Sequence, residues 1–128
     1  VLDDIPVTLP ALQRAQKLQK RAATVGFDWP TLDAVLANLE GEITELCDAL
    51  IGGNDGHISD EFGDVLFSVV NLGRHVGLDA ETALIHANTK FETRFNAMER
   101  AALDEDSELA RESMSQLQAR WEQVKSSE

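Results

Sequence analysis

The chain has 128 residues, with 23 acids against 11 bases and a formal net charge of −12. Such a surface repels a phosphate backbone and an anionic membrane, so nucleic acid and membrane are excluded as expected partners. A lone cysteine, Cys47, allows no intrachain disulfide and fits a reducing cytoplasm; no signal peptide or apolar run of membrane-spanning length is visible.

Residues 1–10 carry Pro6 and Pro10 and no helical period. They read as a linker, which places the domain at residues 11–128 and the chain as a piece of a longer protein. A first helix is expected over residues 11–25, with Leu12, Ala15, Leu18, Gln19 and Ala22 in register and Gly26 ending it. Thr31 can cap a second helix that runs to residue 51, with a core stripe of Leu32, Val35, Leu36, Leu39, Ile43, Leu46 and Leu50. Residues 52–56, rich in glycine, break the chain. Ser59 is the expected N-cap of a third helix, which Gly77 stops. Asp79 then caps a fourth helix ending near residue 102, and Ser113 caps the last, which carries Leu117, Trp121 and Val124. No strand pattern occurs. Short connections between helices of this length predict an all-α antiparallel bundle of four to five helices.

Two of these helices carry paired acids: Glu42 and Glu45 on the second, Glu61 and Asp64 on the third. Spacing of i,i+3 puts both members of a pair on one helix face. Two such faces turned together hold four carboxylates, an oxygen-only set suited to Mg2+ or Mn2+. The spacing alone is no more frequent than composition gives. The context adds weight: Glu42 and Glu45 border the apolar stripe, and Glu61 and Asp64 continue a polar stripe through Ser68, Asn71 and His75. The alternative is a solvated helix face.

The fourth helix offers Lys90 and Arg94 at i,i+4, with Asn88 nearby and apolar Ala87 and Phe91 alongside. An arginine fork and a lysine point charge can grip adjacent phosphates, or can simply pair with acids such as Glu92 or Glu99. Phe27 and Trp29 can stack on a base or plug the core, and Trp121 is open to both readings. The histidines His57, His75 and His86 form no ligand spacing, and there is no phosphate-cradling glycine loop.

Glu42-Ile43-Thr44-Glu45, followed after a sixteen-residue step by Glu61-Phe62-Gly63-Asp64, resembles the E-x-x-E…E-x-x-D signature of the MazG-like all-α pyrophosphohydrolases. Arg14 to Arg21 and Val25 to Trp29 are similar to that family's first helix and loop. Val70 to His75, Asn88 to Phe95 and Trp121 to Lys125 are similar to its third helix, fourth helix and C-terminal end. The opening linker also resembles the stretch before the second domain of two-domain MazG proteins.

The resemblance implies that Glu42, Glu45, Glu61 and Asp64 are catalytic and bind Mg2+, with Mn2+ as a substitute. It implies that Lys90 and Arg94 hold the phosphates of a nucleoside triphosphate. Asn88, Trp121, Trp29 and Lys17 join them as substrate-binding candidates. It further implies cleavage of the α–β phosphate link and a bundle completed in a homodimer or higher homo-oligomer. One departure stands out: many members have two adjacent glutamates where this chain has Gly41-Glu42. Gly41 motivates the alternative of a non-catalytic nucleotide- or metal-binding regulatory domain. A plain helical interaction module, its acids merely solvated, is the third reading.

Overall fold

A computed structural model describes all 128 residues. Five α-helices and one short 3-10 turn account for its regular structure, and there is no strand, in agreement with the all-α expectation. The helices are α1 (Ala11–Ala23), α2 (Leu32–Gly52), α3 (Asp55–His75), α4 (Ala80–Asp104) and α5 (Met114–Ser126). None is long and apolar enough to cross a membrane. The chain divides into two compact units, Val1–Ala83 and Leu84–Glu128.

In the first unit α2 and α3 form a helical hairpin, with α1 packed on α3. Thr31 caps α2 by accepting from the Ala34 N–H at 3.1 Å, as expected. Gly53 ends it in the left-handed region, φ +72°, which only glycine enters without a steric penalty. The next residue, Asn54, already caps α3, its Oδ1 accepting from the His57 N–H at 2.9 Å. Ser59 therefore lies inside α3 and is not its cap. The glycines at 52, 53 and 56 suggested a longer break, but an asparagine followed by an acid is the stronger start signal. This two-residue link makes the hairpin antiparallel, so residue numbers on the facing surfaces run in opposite directions. Asn38 meets Ser68, and one turn further on the two acid pairs come level.

Enclosed apolar side chains in this unit are Ile5, Val35, Ala49 and Val70. The expected α2 stripe is only partly covered. Val35 is enclosed, whereas Ile43 is 45% exposed and Leu50 56%. On α3, Phe62 is 53% exposed. The helical period was right, but these apolar side chains are not enclosed within the first unit. Residues 1–10, non-helical as expected, are held against α1. Ile5 is buried, Arg14 donates to the Pro6 carbonyl at 3.2 Å, and Arg21 bridges to the Val1 carbonyl and to Asp4.

In the second unit α4 runs two residues beyond its expected end. Asp79 caps it, accepting from the Thr82 N–H. Asp106, φ 56°, turns the chain, and the 3-10 turn Leu109–Arg111 leads to α5. Ser113 and Gln116 form a reciprocal capping box there, confirming Ser113 as the start. Arg120 ties α5 to the connection through Glu112 at 2.7 Å and Glu105 at 2.6 Å.

Candidate functional site

The antiparallel register of α2 and α3 brings the acid pairs face to face. Glu42, Glu45 and Glu61 each offer a carboxylate oxygen, all within 4.8 Å of one another. Asp64 joins Glu61 and the exposed Asp60 in an overlapping group of the same kind. Asp60 was not foreseen, because the i,i+3 spacing used to find the pairs passes over it.

Glu42 and Glu61 each keep one oxygen, Oε2, buried and without a hydrogen-bond partner. Burial, then the negative charges of Glu45 and Asp64, pushes the Glu42 carboxyl above its ordinary range. Burial and Glu45 do the same to Glu61, opposed by His57, whose Nδ1 lies 3.9 Å from Oε1. A solvated face would leave neither orphaned oxygens nor carboxyls pushed upward. Hard oxygen donors that lack partners and repel one another fit a divalent cation of the Mg2+ type.

Glu42 and Asp64 also line a cavity of about 720 Å3 that lies wholly within the first unit. Trp29, Phe27, Phe67, Leu18 and Ala22 supply its apolar wall. Its polar lining comprises Gln19, Asn38, Ser68, Asn71, Asp28 and Arg74. The Ser68 hydroxyl donates to Asn38 Oδ1 at 3.0 Å, and Gln19 Nε2 donates to the Phe67 carbonyl at 2.9 Å. Arg74 donates to Asn71 Oδ1 at 2.7 Å and, through both terminal nitrogens, to Asp28 at 2.6 and 3.1 Å. His75 Nε2 completes the cluster, 2.9 Å from Asp28. The Arg74 guanidinium holds the Asp28 carboxyl down to about 2.

Ser68, Asn71 and His75 were legible as a polar stripe, and Trp29 as a stacking candidate. Gln19 and Asn38 were not singled out. Their signal was available, since a polar side chain in a core-facing register position is unusual unless it has a partner or a task.

Lys17 is placed elsewhere: it lines a separate hollow of about 410 Å3 with Lys20, Arg21 and the arm residues Asp4, Ile5, Pro6 and Leu9. In the second unit, Asn88 and Lys90 are exposed. Arg94 pairs with neither Glu92 nor Glu99. Its Nε and Nη2 meet the two Glu128 oxygens at 2.6 and 2.8 Å, and its guanidinium lies 5.5 Å from the centre of the Trp121 ring. Phe91 packs on the same tryptophan at 5.7 Å.

Residues 30–99 match the family model described as the MazG nucleotide pyrophosphohydrolase domain. The chain is 45% identical over 99% of its length to a nucleoside triphosphate pyrophosphohydrolase of Escherichia coli K12, covering 49% of that protein. It is 36% identical over 97% of its length to the nucleoside triphosphate pyrophosphohydrolase/pyrophosphatase MazG of Thermotoga maritima, covering 48%. An uncharacterized protein of Bacillus subtilis is 39% identical over the whole chain, which covers 26% of it. The chain thus spans about half the length of the first two relatives.

Proposed function

This chain belongs to the MazG nucleotide pyrophosphohydrolase family, and on that premise we propose that it hydrolyses nucleoside triphosphates to the monophosphate and pyrophosphate by Mg2+-dependent attack of water at the α-phosphorus. The observation that carries this reading is the Glu42–Glu45–Glu61 cluster, with a buried oxygen on both Glu42 and Glu61 lacking any partner.

Glu42, Glu45, Glu61 and Asp64 are the proposed ligands. When bound, Mg2+ neutralises triphosphate charge and makes water a better nucleophile. Glu42 or Glu45 takes the proton of the attacking water, as a carboxylate placed beside it can. Lys90 and Arg94 stabilise the charge gathering on the departing pyrophosphate, once the triphosphate has replaced Glu128 on Arg94. Asn88, Trp121 and Trp29 are proposed to contact the nucleotide. Exposed apolar side chains on α2 and α3, among them Ile43, Leu50 and Phe62, support a homodimer or higher homo-oligomer that would cover them. The free Cys47 is consistent with a cytoplasmic location.

A regulatory domain that binds without turnover is the second reading, and Gly41 favours it. A side chain added there meets nothing within 4 Å, so the position has room for an acid and lacks one.

Ion-exchange analysis of products after incubation with each common nucleoside triphosphate, with and without Mg2+, tests the proposal. Monophosphate and pyrophosphate formed only with Mg2+ is the expected result. Bound nucleotide with no product, in a folded protein, would replace the hydrolase with the regulatory reading.

A further inference from the structure

Charge is distributed unevenly along this chain. Between residues 5 and 27 there is no acid, yet four of the 11 bases fall there: Arg14, Lys17, Lys20 and Arg21, all on α1. Complementing the helix dipole accounts for Lys20 and Arg21 in the last turn. It does not account for Lys17, nor for the wall that stands beside all three. Lys17, Lys20 and Arg21 share one helix face and line the hollow of about 410 Å3 whose apolar wall is Ile5, Pro6 and Leu9 of the arm. Leu18, Gln19 and Ala22 of the same helix line the cavity that holds Glu42 and Asp64, so α1 separates two different hollows.

The donors in the basic hollow are free. Lys17 and Lys20 are exposed and enter no ion pair. Arg21 uses only Nη1, which donates to the Val1 carbonyl and to Asp4, and keeps Nε and Nη2 as donors. Asp4 is the one acid in the lining. Its side chain is 72% exposed, so an incoming anion displaces it from Arg21 at little cost. Three cations against one displaceable carboxylate give a positive lining in a chain of net charge −12.

Screening sets the size of the ligand. Charges more than about 10 Å apart are largely hidden from each other at 0.1 M salt. A small anion in the hollow therefore feels the lysines and not the acidic remainder, whereas a long polyanion runs out onto that remainder and is repelled. Several N–H donors on three neighbouring cations match an anion with charged oxygens on adjacent centres, which is a short chain of phosphoryl groups.

We propose that the hollow between α1 and the arm binds a small polyphosphate anion, gripped by Lys17, Lys20 and Arg21, with Asp4 as the group it displaces. The site is distinct from the Glu42–Glu45–Glu61 cluster and does not depend on hydrolysis there.

Inorganic triphosphate, titrated calorimetrically in chelator, is the probe, because the carboxylate cluster repels it when no divalent cation is present. The native chain is expected to bind it, and to bind it more weakly as salt is raised. Lys17→Ala combined with Lys20→Ala, shown folded by circular dichroism, should bind roughly tenfold less tightly, and Asp4→Asn roughly two- to fivefold more tightly. Arg94→Ala should keep this binding, which separates the hollow from the bases of α4. Absence of binding by the native chain overturns the site, as does binding that disappears in Arg94→Ala but survives in the double lysine variant. An affinity for sulfate equal to that for triphosphate overturns it too, since charge attraction alone then suffices. So does an Asp4→Asn chain that binds no more tightly, because the anion then lies outside the hollow.

Discussion

Glu42 on α2 and Glu61 on α3 bring carboxylate oxygens within 4.8 Å of each other, and each leaves its Oε2 buried without a hydrogen-bond partner. Folding forces this confrontation, because the two-residue link at Gly53 and Asn54 fixes the register of the hairpin. The chain holds the pair at a cost in stability, which the proposed cation would offset.

Glu61→Gln separates these effects. Removing a ligand is expected to cut turnover by more than about a hundredfold, since even residues behind metal ligands cost about ten- to a hundredfold. The same change should raise the melting temperature in chelator. A carboxyl raised on folding contributes stability below its unfolded value, near 4.5, and loses it as pH climbs through the folded value. At neutral pH the native glutamate is therefore unfavourable without a cation. Calorimetric melts with chelator and with Mg2+ check this: the native chain should respond strongly to Mg2+ and the variant weakly.

Asp28 gives the opposite pH dependence. Its carboxyl is lowered from 3.8 to about 2, first by its hydrogen bonds to Arg74. Its contribution is fully present above 3.8 and is lost as pH falls toward about 2. The difference in melting temperature between the native chain and Asp28→Asn should be largest near neutrality and shrink across that acid window. A difference that stays constant with pH would show that the network does not hold the charge.

Arg94 is engaged by Glu128 through a bidentate pair. If Arg94 grips phosphate, Glu128 competes with the substrate. Glu128→Gln should lower KM for a nucleoside triphosphate by roughly two- to fivefold, the range of a half-exposed ion pair, with kcat little changed. Steady-state kinetics reads this directly; an unchanged KM would place Arg94 outside the phosphate site.

Gly41 lies inside α2 with open space around an added Cβ. Gly41→Ala should stabilise the chain by about 1 kcal/mol, a rise in melting temperature of roughly 3–6 °C for a domain of this size. Gly41→Glu should also raise turnover, if the missing acid limits it. The alanine variant supplies the control for helix propensity alone.

Asn54→Ala should cost about 1 kcal/mol and Ser59→Ala close to nothing in chemical denaturation, because Asn54 carries the cap of α3. This pair shows where sequence reasoning was sound and where it slipped. The helices themselves were legible from apolar period and from caps such as Thr31 and Ser113, whose signals are local. The start of α3 was misplaced because three nearby glycines outweighed one asparagine. The acid pairs were legible as i,i+3 faces, but their convergence depends on hairpin register, which no single helix encodes. Gln19 was placed in the core-facing register of the first helix, but its task, like that of Asn38, shows only when tertiary packing gives the amide a partner. The exposed sides of Ile43 and Phe62 are apolar in sequence whether covered by the same chain or another.

The arm of residues 1–10 has a consequence for protease attack. Arg14 and Arg21 are natural targets for trypsin, yet each is both wound into α1 and closed over an arm carbonyl, at Pro6 and at Val1. Ile5 pins the arm between them. A protease needs an extended stretch of backbone, so cleavage here requires the helix to unwind and both clamps to open together. The rate of nicking at these two arginines therefore reports the opening equilibrium of this whole corner, and an upstream fusion that tugs the arm loose should show itself first as faster cutting within α1.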